Sequence, residues 1–324
     1  FMLAMNNTLM QQSIASLVDV SKYSLDSYKA LAEQFPEVRF EQKGLLMVGQ
    51  SQDGVDAAVE EMELVAKHGV PGKYMTAEEV KKFEPSLTGK IQGGVYFPEE
   101  AHAEPLQIVK ALAEGARRNG ATIISGCEVF DYIVEAGAKG NRIAGIRTTR
   151  GTLTADEYVL STGSWSTRIG KQLKLSIPIL GGKGYAIIAP PLETQPKVPM
   201  MLVEKKIAVT PRDGSIRIAG TLELVNMDEG ITPRRVDAIV KGARQFMTLP
   251  QNLEIKELWR GLRPCTPDGV PLIGRPARYS NLTLNTGHQM LGLQSAPGCA
   301  RLAADIVLGA KPAFDPHPFR ADRF

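Results

Sequence analysis

The stretch W-R-G-L-R-P-C-T-P-D-G-V-P-L-I-G at Trp259–Gly274 decides how this sequence is interpreted, together with N-T-G-H-Q-M-L-G-L-Q-S-A at Asn285–Ala296. In the first stretch, short apolar runs are separated by Pro264, Pro267 and an Asp-Gly pair, a pattern typical of strand ends joined by a turn. Arg263 therefore lies on a stiff segment, where its guanidinium can hold a carboxylate through two parallel hydrogen bonds. A structural ion pair is the alternative role for this arginine.

The second stretch predicts a strand, a glycine turn and a helix. Leu282–Leu284 is typical of a buried strand, Thr286–His288 of a turn, and Pro297–Leu308 of a helix. Unpaired backbone N–H groups at such a helix start attract negative charge, so the turn is a candidate ligand site. An ordinary strand-to-helix turn is the alternative interpretation of Gly287 and Gly292.

Length and composition fit two domains or one large α/β unit. The 324 residues are 43% hydrophobic, enough for a substantial core, and 31 glycines and 21 prolines indicate many turns. The formal net charge is only +3, with lysine and arginine interspersed among aspartate and glutamate. This balance argues against a nucleic-acid-binding protein.

The cysteines indicate a reducing compartment. Cys127, Cys265 and Cys299 are odd in number and have neither C-x-x-C nor metal-ligand spacing, so we expect buried thiols, no metal site and a cytoplasmic protein. No apolar run approaches the ~20 residues of a membrane span, and Phe1–Leu3 lacks the features of a signal peptide. We therefore expect a soluble protein, at most peripheral to the inner face of the plasma membrane.

The first part of the chain predicts a crossover unit. The elements predicted here are one long helix or two over residues 1–34, a strand at Leu45–Val48, helices at Gln52–Lys67 and Thr76–Phe83, a strand at Gly93–Phe97, a helix from Pro105 to Gly120 and a strand at Thr122–Ser125. The strand at Gly93–Phe97, the helix that begins at Pro105 and the strand at Thr122–Ser125 form a crossover unit, which implies a parallel sheet.

The rest of the chain predicts antiparallel strands. The elements predicted here are a meander of Glu128–Glu135, Arg142–Thr149 and Thr152–Thr154, a strand at Tyr158–Ser161 turning into a helix at Trp165, strands at Lys183–Pro190, Ile207–Thr210, Ile216–Thr221 and Leu253–Trp259, and a helix at Pro233–Met247. Residues 178–263 thus favour a mostly antiparallel sheet with a helix on one face. The proline-containing tail after Pro312 is expected to be an extended surface arm.

Four motifs together resemble the FAD-dependent D-amino acid oxidase family, most closely the small subunit of its D-amino acid dehydrogenase branch. They are G-L-R-P-C-T-P-D-G-V-P-L-I-G, G-H-Q-M-L-G, L-S-T-G-S-W-S at residues 160–166 and G-G-K-G-Y at residues 181–185. The resemblance covers essentially the whole chain. It implies an α/β fold with mixed sheets, in which an α+β substrate domain is inserted in an FAD-binding, Rossmann-like domain.

The resemblance also implies a division of the chain. Residues 1–36 would be a helical link from an N-terminal module, residues 37–100 and 178–262 the substrate domain, and residues 101–177 and 263–324 the remainder of the FAD domain. Members of the family begin with a strand, a G-x-G-x-x-G turn and a helix that hold the FAD diphosphate, and this dinucleotide-binding βαβ fingerprint is absent from the sequence. The chain as given is therefore expected to bind FAD weakly or not at all, whereas the full-length product would be active.

The resemblance assigns roles to individual residues. Arg263 would bind the substrate carboxylate, with Tyr185 and Gln294 as further substrate contacts, although a core tyrosine is the alternative for Tyr185. No catalytic acid or base is implied, and a structural imidazole is the alternative for His288. Gly261 stands where sarcosine oxidases bear a flavin-linking cysteine, so the FAD would be noncovalent. The residues expected to contact FAD are Val129, Thr162, Gly163, Trp165, Gly261, Gly287, His288, Gln289, Met290, Leu291, Gly292 and Leu293.

Three functions remain open from the sequence. The first is a flavoenzyme that oxidises a D-amino acid or a proline-like secondary amine to an imine, later hydrolysed to keto acid and ammonia, and passes electrons to a quinone or another acceptor. The second is a glycine- or sarcosine-type oxidase that uses oxygen. The third is a truncated, FAD-free and non-catalytic fragment or subunit. The side-chain preference and the oligomeric state, whether homo- or hetero-oligomeric, are left open.

Overall fold

A computed structural model describes residues 7–138 and 140–324, so the predicted helical residues 1–6 lie outside the described part. The helices are α1 (Asn7–Gln34), α2 (Gln52–Ala66), α3 (Ala77–Phe83), α4 (Pro105–Arg118), α5 (Ser166–Gln172), α6 (Pro233–Ala243) and α7 (Gly292–Val307). The strands are β1 (Leu45–Gly49), β2 (Lys73–Thr76), β3 (Gly93–Phe97), β4 (Val129–Glu135), β5 (Arg142–Thr148), β6 (Gly151–Leu153), β7 (Tyr158–Leu160), β8 (Leu180–Ala189), β9 (Met200–Leu202), β10 (Ile207–Arg212), β11 (Ser215–Val225), β12 (Glu257–Cys265), β13 (Leu272–Gly274) and β14 (Leu282–Thr286). None of the described helices combines the length and apolarity needed to cross a bilayer.

The chain forms two units, each assembled from separate segments. The terminal unit, which carries both chain ends, comprises residues up to Arg39, Glu104–Gly181 and Arg263–Phe324. The inserted unit comprises Phe40–Ala103 and Gly182–Leu262. The chain passes from one unit to the other at residues 40, 104, 182 and 263. The sequence predicts domain boundaries at residues 37, 101, 178 and 263.

The inserted unit is organised on a mixed sheet with the order β12-β8-β11-β10-β9-β1-β3-β2. Pairs β1–β3, β2–β3, β9–β10 and β10–β11 are antiparallel, whereas β1–β9 is parallel. Alternate apolar residues of β1 and β11 are fully buried, as at Leu46 and Val48 or Ile216 and Ile218, all of which have no solvent exposure. The predicted, mostly antiparallel character of this part of the chain is confirmed.

Helix α3 begins with a capping box, which the sequence predicts because Thr76 is followed three residues later by Glu79. The Thr76 side chain accepts a hydrogen bond from the Glu79 amide (3.3 Å), and the Glu79 carboxylate accepts one from the Thr76 amide (2.8 Å). Two N–H groups that would otherwise lack partners are satisfied reciprocally. The prediction held because this signal lies within four consecutive residues.

The terminal unit contains two three-stranded sheets. In the first, of order β13-β14-β7, β14 runs parallel to β7 and antiparallel to β13. The second is the antiparallel meander β4-β5-β6, which confirms the predicted meander. An apolar core, which includes Leu160, Leu282 and Leu284 from the parallel pair, packs beneath the first sheet.

The predicted crossover through Gly93–Phe97 is wrong. This strand, β3, lies between β1 and β2, so both of its edges are already paired within the inserted unit. Residues 122–125 form no strand among the described elements, and Ile123 and Ile124 are 42% and 43% exposed. Apolar composition suggested a buried strand there, but a strand also needs a neighbouring backbone to accept its hydrogen bonds.

The C-terminal tail is not the surface arm that its prolines suggested. Phe319 is fully buried in the core around α7, and Ala321 is buried in the core beneath β14. The Arg323 side chain is only 6% exposed. Extended backbone can bury alternate residues without regular secondary structure, so proline content alone predicted the tail incorrectly.

Helix α7 begins five residues before the predicted start and contains Pro297 in its interior. Proline has no N–H, so the carbonyl of Leu293 loses its helical donor. The Tyr28 hydroxyl of α1 donates to that carbonyl instead (2.7 Å). The Gly298 amide donates to Ser24 Oγ (2.9 Å), so α1 satisfies the backbone on both sides of the proline.

We expect Tyr28→Phe to lower the free energy of unfolding by about 1–2 kcal/mol, because it leaves the Leu293 carbonyl without its donor in a part-buried contact. Burial, and secondarily Cys299, raises the pKa of Tyr28 to about 12, so the hydroxyl keeps its proton at neutral pH. Urea denaturation would measure the change. The control is Tyr74→Phe on β2, whose side chain is exposed, and equal stability of the two variants would contradict the proposed role of Tyr28.

Candidate functional site

Two glycine turns meet at the carboxyl ends of the parallel strands β7 and β14. Leu284 pairs with Leu160 in register, so the turn after each strand leaves the same edge of the sheet. Gly163 and Gly287 adopt left-handed backbone angles (φ of 53° and 83°) that favour glycine. At Gly287 a Cβ atom would lie 2.6 Å from Cγ2 of Thr266, so only glycine fits there.

A row of hydroxyl groups joins the two turns. Ser166 Oγ lies 3.0 Å from Thr162 Oγ1 and 2.7 Å from Thr286 Oγ1. Thr286 Oγ1 also donates to the carbonyl of Gly163 (3.3 Å). The turns predicted to contact FAD are therefore held together by Thr162, which the resemblance selected, and by Ser166 and Thr286, which were not selected as FAD contacts.

The arginine-bearing segment is attached directly to the second turn. Cys265, the last residue of β12, forms an antiparallel bridge with His288. The Gln289 amide donates to the Pro264 carbonyl (3.2 Å), and the Gln289 side chain donates to the Thr266 carbonyl (3.0 Å). Gln289 itself has a left-handed backbone (φ 49°), which marks a constrained turn.

Arg263 thus lies next to the predicted FAD turn, within the terminal unit. Its side chain is half-buried, and this burial lowers the pKa of its guanidinium, which the Cys265 thiol partly opposes. Arginine is not deprotonated in proteins, so Arg263 keeps its positive charge at neutral pH. Burial also lowers the pKa of His288, to about 4, so its imidazole is neutral under the same conditions.

A cavity of about 590 Å³ lies beside the first turn. Its lining brings together Val129, Thr162 and Trp165, three of the residues predicted to contact FAD, with apolar side chains of the meander such as Ile143 and Ile146. This volume suits a drug-sized ligand, and the apolar lining suits an aromatic ring system. A cofactor group that stacks on apolar surface therefore fits the residues present.

Two further observations fit a bound group at the strand ends. The side-chain oxygen of Asn285, on β14, is buried and lacks a hydrogen-bond partner within the described part of the chain. A buried acceptor of this kind is expected to receive a hydrogen bond, here from a bound group. At Gly163, a Cβ atom would meet nothing within 4 Å, so the backbone faces open space. No group of His, Cys, Asp or Glu in the described ranges could hold a metal ion.

The remaining predicted residues divide between the two units. Met290 and Gln294 are exposed at the start of α7. Gly261 lies in the inserted unit under the Trp259 ring, where a Cβ atom would be 2.3 Å from Cη2. Tyr185 is buried in the inserted unit; its hydroxyl donates to Glu223 (3.0 Å) and accepts from the Thr232 amide (3.1 Å). Its surroundings are those of a packed core tyrosine.

Parallel strands with glycine turns and a cavity at their carboxyl ends define an α/β protein that binds a nucleotide-type cofactor. A match to the FAD dependent oxidoreductase (DAO) family covers residues 5–306. The chain therefore belongs to this family of FAD-dependent oxidoreductases, and its cofactor is FAD.

Named relatives and solved structures agree with this assignment. D-amino acid dehydrogenase from Chromohalobacter salexigens is 34% identical over 100% of this chain and 79% of its own length. The Bradyrhizobium diazoefficiens protein of the same name is 31% identical over 95% of this chain and 73% of its own. Glycine oxidase from Geobacillus kaustophilus superposes with a TM-score of 0.86 and 25% identity, over 95% of this chain and 84% of the other.

Proposed function

We propose that this protein oxidises a small amino acid, of the D series or a proline-like secondary amine, at its α-carbon. The observation that carries the proposal is the backbone junction of Pro264 and Cys265 with His288 and Gln289. This junction holds the charged Arg263 beside the glycine turn at the ends of β7 and β14. The chemistry that FAD, the cofactor of this family, would supply when bound is acceptance of the hydride.

Arg263 binds and orients the substrate in this proposal. Two parallel charge-assisted hydrogen bonds from its guanidinium hold the carboxylate, and they fix the direction in which the α-hydrogen points. The backbone directly after Arg263 is restrained by the contacts of Pro264 and Cys265, so the position of its Cα is fixed before the substrate binds. Gln294, exposed in the first turn of α7, is a second polar candidate for substrate contact in this proposal.

The proton balance needs no charged histidine. The substrate amine must lose its positive charge before the α-hydrogen leaves as hydride, and a second proton then leaves the nitrogen to give the imine. For a primary amine, water adds to the imine, which releases ammonia and leaves a keto acid. For a proline-like secondary amine, the nitrogen keeps its second carbon, so hydrolysis opens the ring and leaves an amino keto acid. His288 is neutral because burial lowers its pKa to about 4, so it does not repel a substrate ammonium group.

We further propose a dehydrogenase that passes electrons to a quinone or a similar acceptor, at the inner face of the cytoplasmic membrane. The named dehydrogenases support this choice, since they are 31–34% identical to the chain, compared with 25% for the glycine oxidase. The oxidase remains the second candidate, because the glycine oxidase superposes over nearly the whole chain.

The test is the visible spectrum of the purified protein. The sequence predicts weak FAD binding by the chain as given, so the protein is first incubated with FAD. We then expect flavin absorption bands, and release of the flavin into the supernatant on denaturation because Gly261 provides no linking side chain. D-Alanine or D-proline should bleach the bands under argon. Slow recolouring in air would support a dehydrogenase, and rapid recolouring the oxidase. A protein that stays colourless after incubation with FAD would contradict the proposal and favour the non-catalytic fragment.

A further inference from the structure

The C-terminal tail places a buried arginine on the turn that follows Arg263. Arg323 forms a forked ion pair with Asp268, with Nε 2.7 Å from Oδ2 and Nη2 3.0 Å from Oδ1. The same guanidinium donates to the carbonyls of Val270 and Pro271, the latter at 3.0 Å. We call Arg323, Asp268, Val270 and Pro271 the turn clamp.

Both partners of the ion pair are shielded from solvent. The side chains of Arg323 and Asp268 are 6% and 11% exposed. Arg323 is held in place because its neighbours Phe319 and Ala321 are buried in the two cores of the terminal unit. A buried forked pair of this kind is rigid and cannot be replaced by lysine without loss of one hydrogen bond.

A continuous series of hydrogen bonds links the turn clamp to the neighbour of Arg263. Val270 O accepts from Arg323 and also from Thr266 Oγ1 (2.9 Å). The Thr266 carbonyl and hydroxyl accept from the Gln289 side chain at 3.0 and 3.3 Å. The Gln289 amide donates to the carbonyl of Pro264, the residue that follows Arg263.

We propose that Arg323 is a positioning residue, which fixes the direction of the Arg263 guanidinium through the turn clamp and Gln289. This inference rests on the proposed role of Arg263 in carboxylate binding. It assigns to the C-terminal tail a part in substrate affinity, although Arg323 itself makes no contact with the substrate. The expected signature is weaker carboxylate binding with little change in turnover, because the clamp acts on a binding contact.

Kinetics of the FAD-loaded protein would test the proposal with Arg323→Gln, Arg323→Lys and Asp268→Asn. With the D-amino acid that bleaches the flavin fastest, we expect KM to rise about tenfold in Arg323→Gln and kcat to change less than about threefold. The KM of Arg323→Lys should lie between those of the unmodified protein and Arg323→Gln. The matched control is Arg275→Gln, since Arg275 in the same unit also forms an ion pair, with Glu157 (2.8 Å), and donates to the Ser280 carbonyl, but is not bonded to the clamp.

A double-mutant cycle separates positioning from general loss of structure. If Arg323 acts through Arg263, then Arg263→Ala combined with Arg323→Gln should have the KM of Arg263→Ala alone, within about twofold. Independent, multiplicative increases in KM would overturn the proposal. It would also be overturned if Arg275→Gln raised KM as much as Arg323→Gln, because the effect would then reflect stability alone.

Hydrogen exchange gives a readout that does not depend on turnover. We expect the Gln289 amide to exchange about tenfold faster in Arg323→Gln than in the unmodified protein or in Arg275→Gln. Unchanged exchange would overturn the inference even if the protein oxidises amino acids. If no amino acid bleaches the flavin, the proposed function fails, and faster exchange at Gln289 would still establish the mechanical link.

Discussion

Replacement of Arg263 by alanine is expected to raise the KM for the amino acid substrate by about tenfold to a hundredfold. The estimate follows from loss of a charge-assisted hydrogen-bonded contact worth about 1.5–3 kcal/mol. We expect this large increase in KM because the guanidinium is half-buried beside a turn whose backbone is bonded to Pro264 and Cys265. Steady-state kinetics with D-alanine or D-proline would measure it.

Two further variants make the Arg263 experiment specific. Arg263→Lys keeps the positive charge but loses the forked geometry, so its KM should lie between those of the unmodified protein and Arg263→Ala. Arg278→Ala removes an exposed arginine of the same unit and should leave KM unchanged. An Arg263→Ala protein that retains its flavin and its KM would refute the role assigned to this residue.

Acid is expected to destabilise the terminal unit through His288, by about 1–3 kcal/mol between pH 6.5 and pH 4. Burial lowers the pKa of the folded imidazole from 6.5 to about 4. In this window the unfolded chain takes up a proton that the folded chain does not, so the free energy of unfolding falls as the pH falls. The full stability is present above pH 6.5, and the lower value of the range allows for the partial exposure of the residue.

The measurement is urea denaturation at a series of pH values, with His288→Gln compared to the unmodified protein. The variant should lose less stability on acidification, and the difference between the two curves isolates His288. Such a difference is needed because burial also lowers the pKa of His102, partly offset by Glu41. The control His317→Gln changes an exposed histidine, so it should lose as much stability on acidification as the unmodified protein. Identical curves of stability against pH for all three proteins would disprove the assignment.

Much of the site was visible in short segments of sequence. Gly287 was noted from its strand-to-helix context and Gly163 was selected by resemblance, and both have the left-handed backbone that favours glycine. Val129, Thr162 and Trp165 were selected by resemblance, and they line one cavity. Their roles in holding FAD remain predictions that the flavin spectrum and mutagenesis would test.

Other parts of the site had no local signal. Asp268 was seen only as a turn former, and Arg323 lay in a tail expected to be a surface arm, yet the two form the buried pair of the turn clamp. Ser166 and Asn285 are common polar residues with no motif of their own. At residues 122–125 a local signal was present but misleading. Their apolar pattern predicted a strand, and none of the described strands pairs with them.

The sequence by itself determined the features whose hydrogen bonds close within a few residues: the capping box of Thr76 and Glu79, the Asp268-Gly269 turn, and the glycine turns after β7 and β14. The tertiary structure alone decided contacts such as Arg323 with Asp268, 55 residues apart, and Tyr28 with Leu293, 265 residues apart. Local bonds follow from residue type and spacing, since the partners are already adjacent. Distant partners meet only after apolar burial has packed the segments together, so their identity depends on the whole core and not on any single motif.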